Sequence, residues 1–354
     1  MKRNISIICM VLAAILLLGC ADWNIKAQNP TQEPTAAATE TPITVEEDEI
    51  RLIATATPEP TEVPTPEPTD TPTPSPVPTD TPTPEPEGII GWSTGGFVSR
   101  EEMSCTEEEY VSDKLHFTVT KYEDAETYAR RVTYFVTDLY IRDLSCLKTY
   151  AAAEFTTKDT KKFTYVHKIA KKANALWAMT GDYCGHHKHS LIIRNGTVYD
   201  LKLYSDWDLL FLYNDGVMET MAAEDFNADT LRNDVWQAWQ FGPSLLDADG
   251  HAIEKFQKYS KISTWNPRSV IGYIEPGHYI FVTVDGRQGR YSGGLTLPET
   301  AQLMESLGCK LAYNLDGGES AQLYWTGQTY NSPSDNGRVI SDIIYLIDED
   351  GTES

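Results

Sequence analysis

Fifteen of the chain's 20 prolines fall between residues 21 and 87, many of them in Thr-Pro and Pro-Glu-Pro repeats. Proline fixes φ and removes a backbone donor, so neither a helix interior nor a sheet interior can form there. The same stretch lacks the apolar content that would offset chain entropy. Residues 21–87 therefore read as a semi-extended tether, reaching roughly 3 Å per residue where it is polyproline-like. Any packed core is confined to residues 88–354.

Ahead of the tether, Met1-Lys2-Arg3-Asn4 is a short positive stretch followed by an apolar run from residue 5 to residue 18. The run is shorter than the roughly 20 apolar residues of a membrane-spanning helix. A charged start and a short apolar core read as an export signal. The run closes in Leu17-Leu18-Gly19-Cys20, the arrangement of a bacterial lipoprotein cleavage site. The expectation is a signal over residues 1–20, lipid on Cys20, and a domain held on the outer face of the cytoplasmic membrane. An uncleaved anchor helix is the alternative, and it too places the rest of the chain outside the cytoplasm.

The net charge of −23 is partly the tether's, which holds 14 acids against Lys26 and Arg51. The remainder keeps an acidic excess, which argues against nucleic acid as a partner because phosphate backbones are held by clustered Lys and Arg. The membrane is expected as a partner through the lipid anchor only. Beyond Cys9 and Cys20, the cysteines are Cys105, Cys146, Cys184 and Cys309. In an exported domain disulfides can persist. Four cysteines allow three pairings and spacing does not choose among them; free buried thiols are the other reading.

Residues 88–354 are long enough for one sizeable core. Leu115, Phe117 and Val119 alternate with His116, Thr118 and Thr120, the pattern of a half-buried strand. Further strands are expected over residues 128–141, 191–194, 198–203, 208–213, 279–284 and 340–347. Turn signals separate them at Asn195-Gly196, Asn214-Asp215-Gly216, Asp249-Gly250 and Asp285-Gly286. Pro298 in a first turn and Gly308 as a stop predict a helix over 298–307. Residues 162–176 and 218–239 are also helix-compatible. The expected class is α+β, a mixed, mainly antiparallel sheet with packed helices.

Four segments set glycine, aspartate and arginine beside apolar strands. Gly181-Asp182-Tyr183-Cys184-Gly185 reads as a tight loop presenting a carboxylate, or as an ordinary turn. Phe241-Gly242-Pro243 is a turn that brings backbone near a ligand. Asn266-Pro267-Arg268 leads through a strand to Val284-Asp285-Gly286-Arg287. Arginine grips phosphate oxygens with two parallel donors, though a structural Asp–Arg pair would look the same. In Tyr313-Asn314-Leu315-Asp316-Gly317-Gly318-Glu319-Ser320 a strand ends in an acid and two glycines, which let successive amides face an anion. His186, His187 and His189 invite a metal, but adjacent histidines point apart and Lys188 lies among them. A solvated loop is the preferred reading.

In their order along the chain these segments resemble the phosphodiester glycosidase family, the enzymes related to N-acetylglucosamine-1-phosphodiester α-N-acetylglucosaminidase. Arg194-Asn195-Gly196, Gly294-Leu295-Thr296-Leu297, Gly308-Cys309, Asn331-x-Pro333-Ser334 and Arg338-x-x-Ser341-Asp342 complete the set. The resemblance spans roughly residues 110–348. It implies hydrolysis of a sugar-1-phosphodiester on a phosphate-containing extracellular or cell-wall glycan, releasing sugar and phosphomonoester. It also implies roles. Asp316, Asp285 and Asp182 are candidates for nucleophile or base. Arg268 and Arg287 are candidates for phosphate, with Gly317, Gly318 and Ser320 positioning the substrate. Three positions depart from the family pattern: Thr180, Glu319 and Ala321. Glu319 puts a negative side chain into a loop expected to meet phosphate, which either repels the diester or holds a bridging cation such as Ca²⁺. No cofactor is otherwise expected. The rival reading is a non-catalytic carbohydrate-binding protein of the same fold. An ordinary O-glycosidase with two opposed carboxylates would not need the arginines.

Overall fold

The computed structural model describes residues 95–152 and 163–348; the signal, Cys20 and the tether lie outside the described residues. Within them the chain forms one seven-stranded and two five-stranded sheets. The described strand pairs are all antiparallel. The class is therefore mainly β, not the helix-packed α+β expected. The described residues hold two α-helices, Val166–Lys172 and Leu297–Ser306.

The seven-stranded sheet runs in the order Ser104–Cys105, Glu109–Val111, Leu115–Asp124, Val132–Ile141, His278–Val284, Arg268–Glu275, Leu311–Asn314. Its central strands are apolar on both faces, as burial on both sides demands. Phe117, Leu139 and Phe281 face a core shared with Trp177 and Trp325 of one smaller sheet and with Leu212 and Trp239 of the other. Val136, Val270 and Val282 face Leu297, Ala301 and Met304 of the second helix. That helix starts as its sequence predicts. Thr296 caps the amide of Glu299, and Glu299 reaches back to the Thr296 amide, a capping box. Gly272 lets it lie close: a Cβ there would stand 2.6 Å from Cys309 Sγ and from Met304 Cε.

Leu115, Phe117 and Val119 are buried as the alternation predicts. Asn195 and Gly196 both take positive φ, 52° and 74°, and close the hairpin between Ile192–Arg194 and Thr197–Asp200. One helical expectation fails. Residues 218–239 hold the strands Met218–Met221 and Val235–Gln240, joined through short 3-10 turns. The second strand, Val-Trp-Gln-Ala-Trp-Gln, is buried at every position, and a short run buried on both faces carries no period that separates strand from helix. All four described cysteines are free thiols. Cys146, Cys184 and Cys309 are buried apart from one another in the structure's own packing, so the disulfide reading does not hold for them.

Candidate active site

Three neighbouring strands of the large sheet end together. Arg268 pairs with Val284, and Val270 pairs with Asn314. The start of one strand and the ends of its two neighbours thus lie at the same margin of the sheet. Asp285-Gly286-Arg287 and Leu315-Asp316-Gly317-Gly318 leave from that margin. Their close approach needs glycine. A Cβ on Gly286 would meet Pro267 N at 2.8 Å, and one on Gly317 would meet Pro267 O at 2.7 Å. The Phe241-Gly242-Pro243 segment docks on the same margin, with Asn314 donating from Nδ2 to Gly242 O (2.9 Å) and from its amide to Pro243 O (3.0 Å).

These loops enclose a cavity of about 220 Å³. Arg268, Arg287, Arg338 and Lys261 line it together with Asp316, Glu319, Gly317, Gly318 and Phe241. Four cations face two acids there, although the chain as a whole is acidic. Arg268 is buried and spends Nε on Leu295 O (2.9 Å) and Nη2 on Ile262 O (2.8 Å) and Thr264 O (2.7 Å). Among the described residues no carboxylate pairs with it and Nη1 stays unengaged. Burial lowers its pKa to about 9, with the charge of Arg287 adding to the effect. Such a group gains from an anionic counter-ion. Arg287, at φ 58°, rests on Asn266 Oδ1 through Nε (3.1 Å) and Nη2 (2.7 Å). It passes beside Gly318, where a Cβ would come within 3.1 Å of Nη2.

Asp316 is buried at 6% exposure and receives Arg338 Nη2 at 3.1 Å on Oδ2. Burial pushes its carboxyl up to about 6; Arg338 pulls the other way and Asp182 adds to the rise. Desolvation thus outweighs the ion pair, and the acid changes state near neutrality, where a catalytic base is useful. Ser320 Oγ lies behind this pair and accepts from Arg338 Nε at 2.6 Å. Arg338 continues into a stack. Its Cζ lies 5.1 Å over the Tyr183 ring, and His186 stacks on Tyr183 at 3.7 Å and on Phe163 at 4.4 Å.

The structure brings Asp316, Arg268, Arg287, Gly317 and Gly318 to one wall, with Ser320 one contact behind it. Neither of the other two candidate acids lines the cavity, although Asp182 is close enough to Asp316 to act on its charge. Asp285 accepts from Asn331 Nδ2 (2.7 Å), the Ser332 amide (3.0 Å) and Tyr291 OH (3.0 Å). It is buried off the cavity wall, and its geometry is that of an anchor between two loops; burial raises its pKa to about 6. Asp182 accepts from Arg194 Nη2 at 2.9 Å, and the same guanidinium donates from Nε to Asp342 at 3.0 Å. Asp182, Cys184 and Asp342 form the one group of three metal-ligating side chains among the described residues. The Arg194 guanidinium already supplies positive charge between these carboxylates. His186 and His187 stack on Tyr183 and Tyr204, and His189 pairs with Asp200 at 3.0 Å, so the three histidines do not converge. On the cavity wall a divalent cation finds only Asp316 and Glu319, against four cations. Arg338 and Lys261 were not singled out from the sequence. Arg338 was visible in the Arg338-x-x-Ser341-Asp342 phrase, but nothing local ties it to Asp316, 22 residues away.

An antiparallel scaffold that gathers guanidinium groups, a glycine turn and one buried carboxylate at a sheet margin defines a domain built to hold an anionic group beside an acid. Residues 173–347 match the phosphodiester glycosidase family, so the resemblance read in the sequence is shown over that stretch. The chain is 28% identical over 184 residues to the SPbeta prophage-derived uncharacterized protein YomE of Bacillus subtilis (strain 168), across 50% of this chain and 28% of the relative; it thus spans under a third of that relative's length. Two solved structures share the fold. The zebrafish N-acetylglucosamine-1-phosphodiester α-N-acetylglucosaminidase catalytic domain, auto-inhibited by its pro-peptide, matches with a TM-score of 0.52 and 20% identity over 70% of this chain and 88% of that one. A hypothetical protein from Synechocystis matches with a TM-score of 0.50 and 14% identity over 66% and 62%.

Proposed function

We propose that the chain hydrolyses a sugar-1-phosphodiester of the N-acetylglucosamine-1-phosphate type, on an extracellular or cell-wall glycan. One observation carries this reading: the buried Asp316 shares a cavity with Arg268, Arg287 and Arg338. The bond from the anomeric carbon to the phosphate oxygen breaks, and its electron pair leaves with the phosphate. Water supplies hydroxide to the anomeric carbon and its remaining proton passes to Asp316 and on to solvent, giving free sugar and a phosphomonoester. Phosphate leaves without a proton, so an acid catalyst is less needed than at ordinary glycosides. The site's tasks are to hold phosphate and to stabilise an oxocarbenium-like centre. Arg268 and Arg287, each with Nη1 unengaged, suit the first task, and Asp316 suits the second as nucleophile or base. Arg338 favours the ionised form of Asp316 against the effect of burial.

Glu319 on the same wall favours one second reading, a carbohydrate-binding protein without turnover. Export and a lipid anchor on Cys20 belong to the proposal as well; they rest on residues 1–20 alone. The deciding experiment is hydrolysis of α-GlcNAc-1-phosphodiester model compounds by the full chain, with EDTA or with added Ca²⁺. Free sugar released by the wild type and not by Asp316→Asn establishes the reaction. Binding without release favours the second reading, and a requirement for Ca²⁺ would give Glu319 a part in it.

A further inference from the structure

Trp265 is 59% exposed, yet it belongs to the loop whose Ile262 and Asn266 line the cavity. A single exposed apolar side chain is ordinary; the way this one is held is not. Arg268 Nη2 grips the loop on both sides of residue 263, at Ile262 O and Thr264 O. Asn266 exchanges backbone hydrogen bonds with Leu295 at 3.1 and 3.0 Å, and its Nδ2 donates to Thr264 O at 2.9 Å. Against the ring itself, Arg130 Cζ lies 4.6 Å from the centroid. That guanidinium is fixed by Glu299 at 2.6 and 2.9 Å and by Gly294 O at 2.8 and 3.2 Å. The indole therefore has one face braced by a pinned cation while much of it stays in water.

We propose that Trp265 is a stacking platform for a saccharide ring on the far side of the scissile phosphate. The substrate is then an extended phosphate-linked glycan, not a small diester. The inference rests on the reading under Proposed function and extends it. A pyranose presents an apolar C–H face ringed by hydroxyls, which suits an amphipathic, rigid indole. Lys261 and Arg287 on the neighbouring wall supply N–H donors to its hydroxyls. The address selects the side of the substrate. Trp265 adjoins Asn266, whose Oδ1 holds Arg287, and so it borders the end where Arg287 stands. A platform already rigid before binding loses little entropy on use.

The test compares two probes on the full chain: methyl α-GlcNAc-1-phosphodiester, and the same diester ending in mannotriose. The expected result is that Trp265→Ala raises KM for the extended probe about tenfold, leaves its kcat within twofold, and does not alter turnover of the methyl diester. Trp265→Phe should recover most of the loss. Equal effects on both probes, or none on the extended one, overturn the platform. If the wild type cleaves neither probe, the reaction reading fails, and the same pair serves as ligands in calorimetric titration. Tighter binding of the extended probe, lost in Trp265→Ala, upholds the platform; equal binding, or no binding, overturns it.

Discussion

Arg338 Nη2 stands 3.1 Å from Asp316 Oδ2 while its Nε takes the Ser320 hydroxyl at 2.6 Å. One guanidinium thus orients the buried acid and is itself oriented from behind. Replacing Asp316 by Asn keeps the side-chain volume and removes the charge. Turnover should fall by roughly a hundredfold or more, the scale of a lost acid–base group. The melting temperature should stay close to that of the wild type. A fully active variant would remove Asp316 from the reaction.

The same pair sets a pH profile. Burial has carried the Asp316 carboxyl from 3.8 up to about 6, and Arg338 restrains that rise. If the ionised form is the active one, kcat/KM should drop on the acid side with a midpoint near 6. Arg338→Gln removes the restraining charge and should move that midpoint to higher pH. A wild-type acid limb near 4, or one that Arg338→Gln leaves in place, would contradict the assignment.

Arg194 serves two buried carboxylates, those of Asp182 and Asp342. Burial raises the Asp342 pKa, and Arg194 opposes this. Arg194→Met would strand both acids away from water. The cost expected for breaking such a buried pair is about 3–5 kcal/mol. Urea denaturation measures it directly, and a loss below about 1 kcal/mol would mean that the cluster is not holding the two loops together.

Two glycines separate a crowded site from an open turn. A Cβ on Gly317 meets the Pro267 carbonyl at 2.7 Å, and neither backbone can give way alone. Gly317→Ala should push the loops of Arg268 and Asp316 apart and lower kcat/KM by roughly tenfold to a hundredfold. Gly308 has nothing within 4 Å but holds φ at 80°. Gly308→Ala should cost about 1 kcal/mol of stability and leave activity unchanged. Thermal melts and kinetics on the two variants separate these effects.

What could be read from the chain follows the range of the interactions. The burial of Leu115, Phe117 and Val119, the Asn195-Gly196 hairpin and the helix with Pro298 in its first turn are local, and each appears as its pattern predicts. Val235–Gln240 was ambiguous because burial on both faces erases periodicity. Asp285 and Asp182 are site candidates through the family resemblance, and their partners lie far along the chain: Asn331 and Ser332 for Asp285, and Arg194, shared with Asp342, for Asp182. Those contacts span 46, 47, 12 and 148 residues, beyond the reach of any local motif. The tie between Arg338 and Asp316, 22 residues apart, is hidden for the same reason.

The pairing of Arg268 with Val284 and of Val270 with Asn314 has a consequence for how this domain can diversify. Neighbouring strands keep a separation of about 4.8 Å, so the interval between the arginine and acid segments is dictated by the ladder itself. Insertions in the loop bearing Trp265 or in the Tyr183–His187 stretch leave that interval untouched. Surface loops of such a chain can change what borders the cavity while the spacing of Arg268 and Asp316 is inherited unchanged. A one-residue slip of the strand Arg268–Glu275 would turn Arg268 to the opposite face of the sheet and remove it from the cavity wall in a single step.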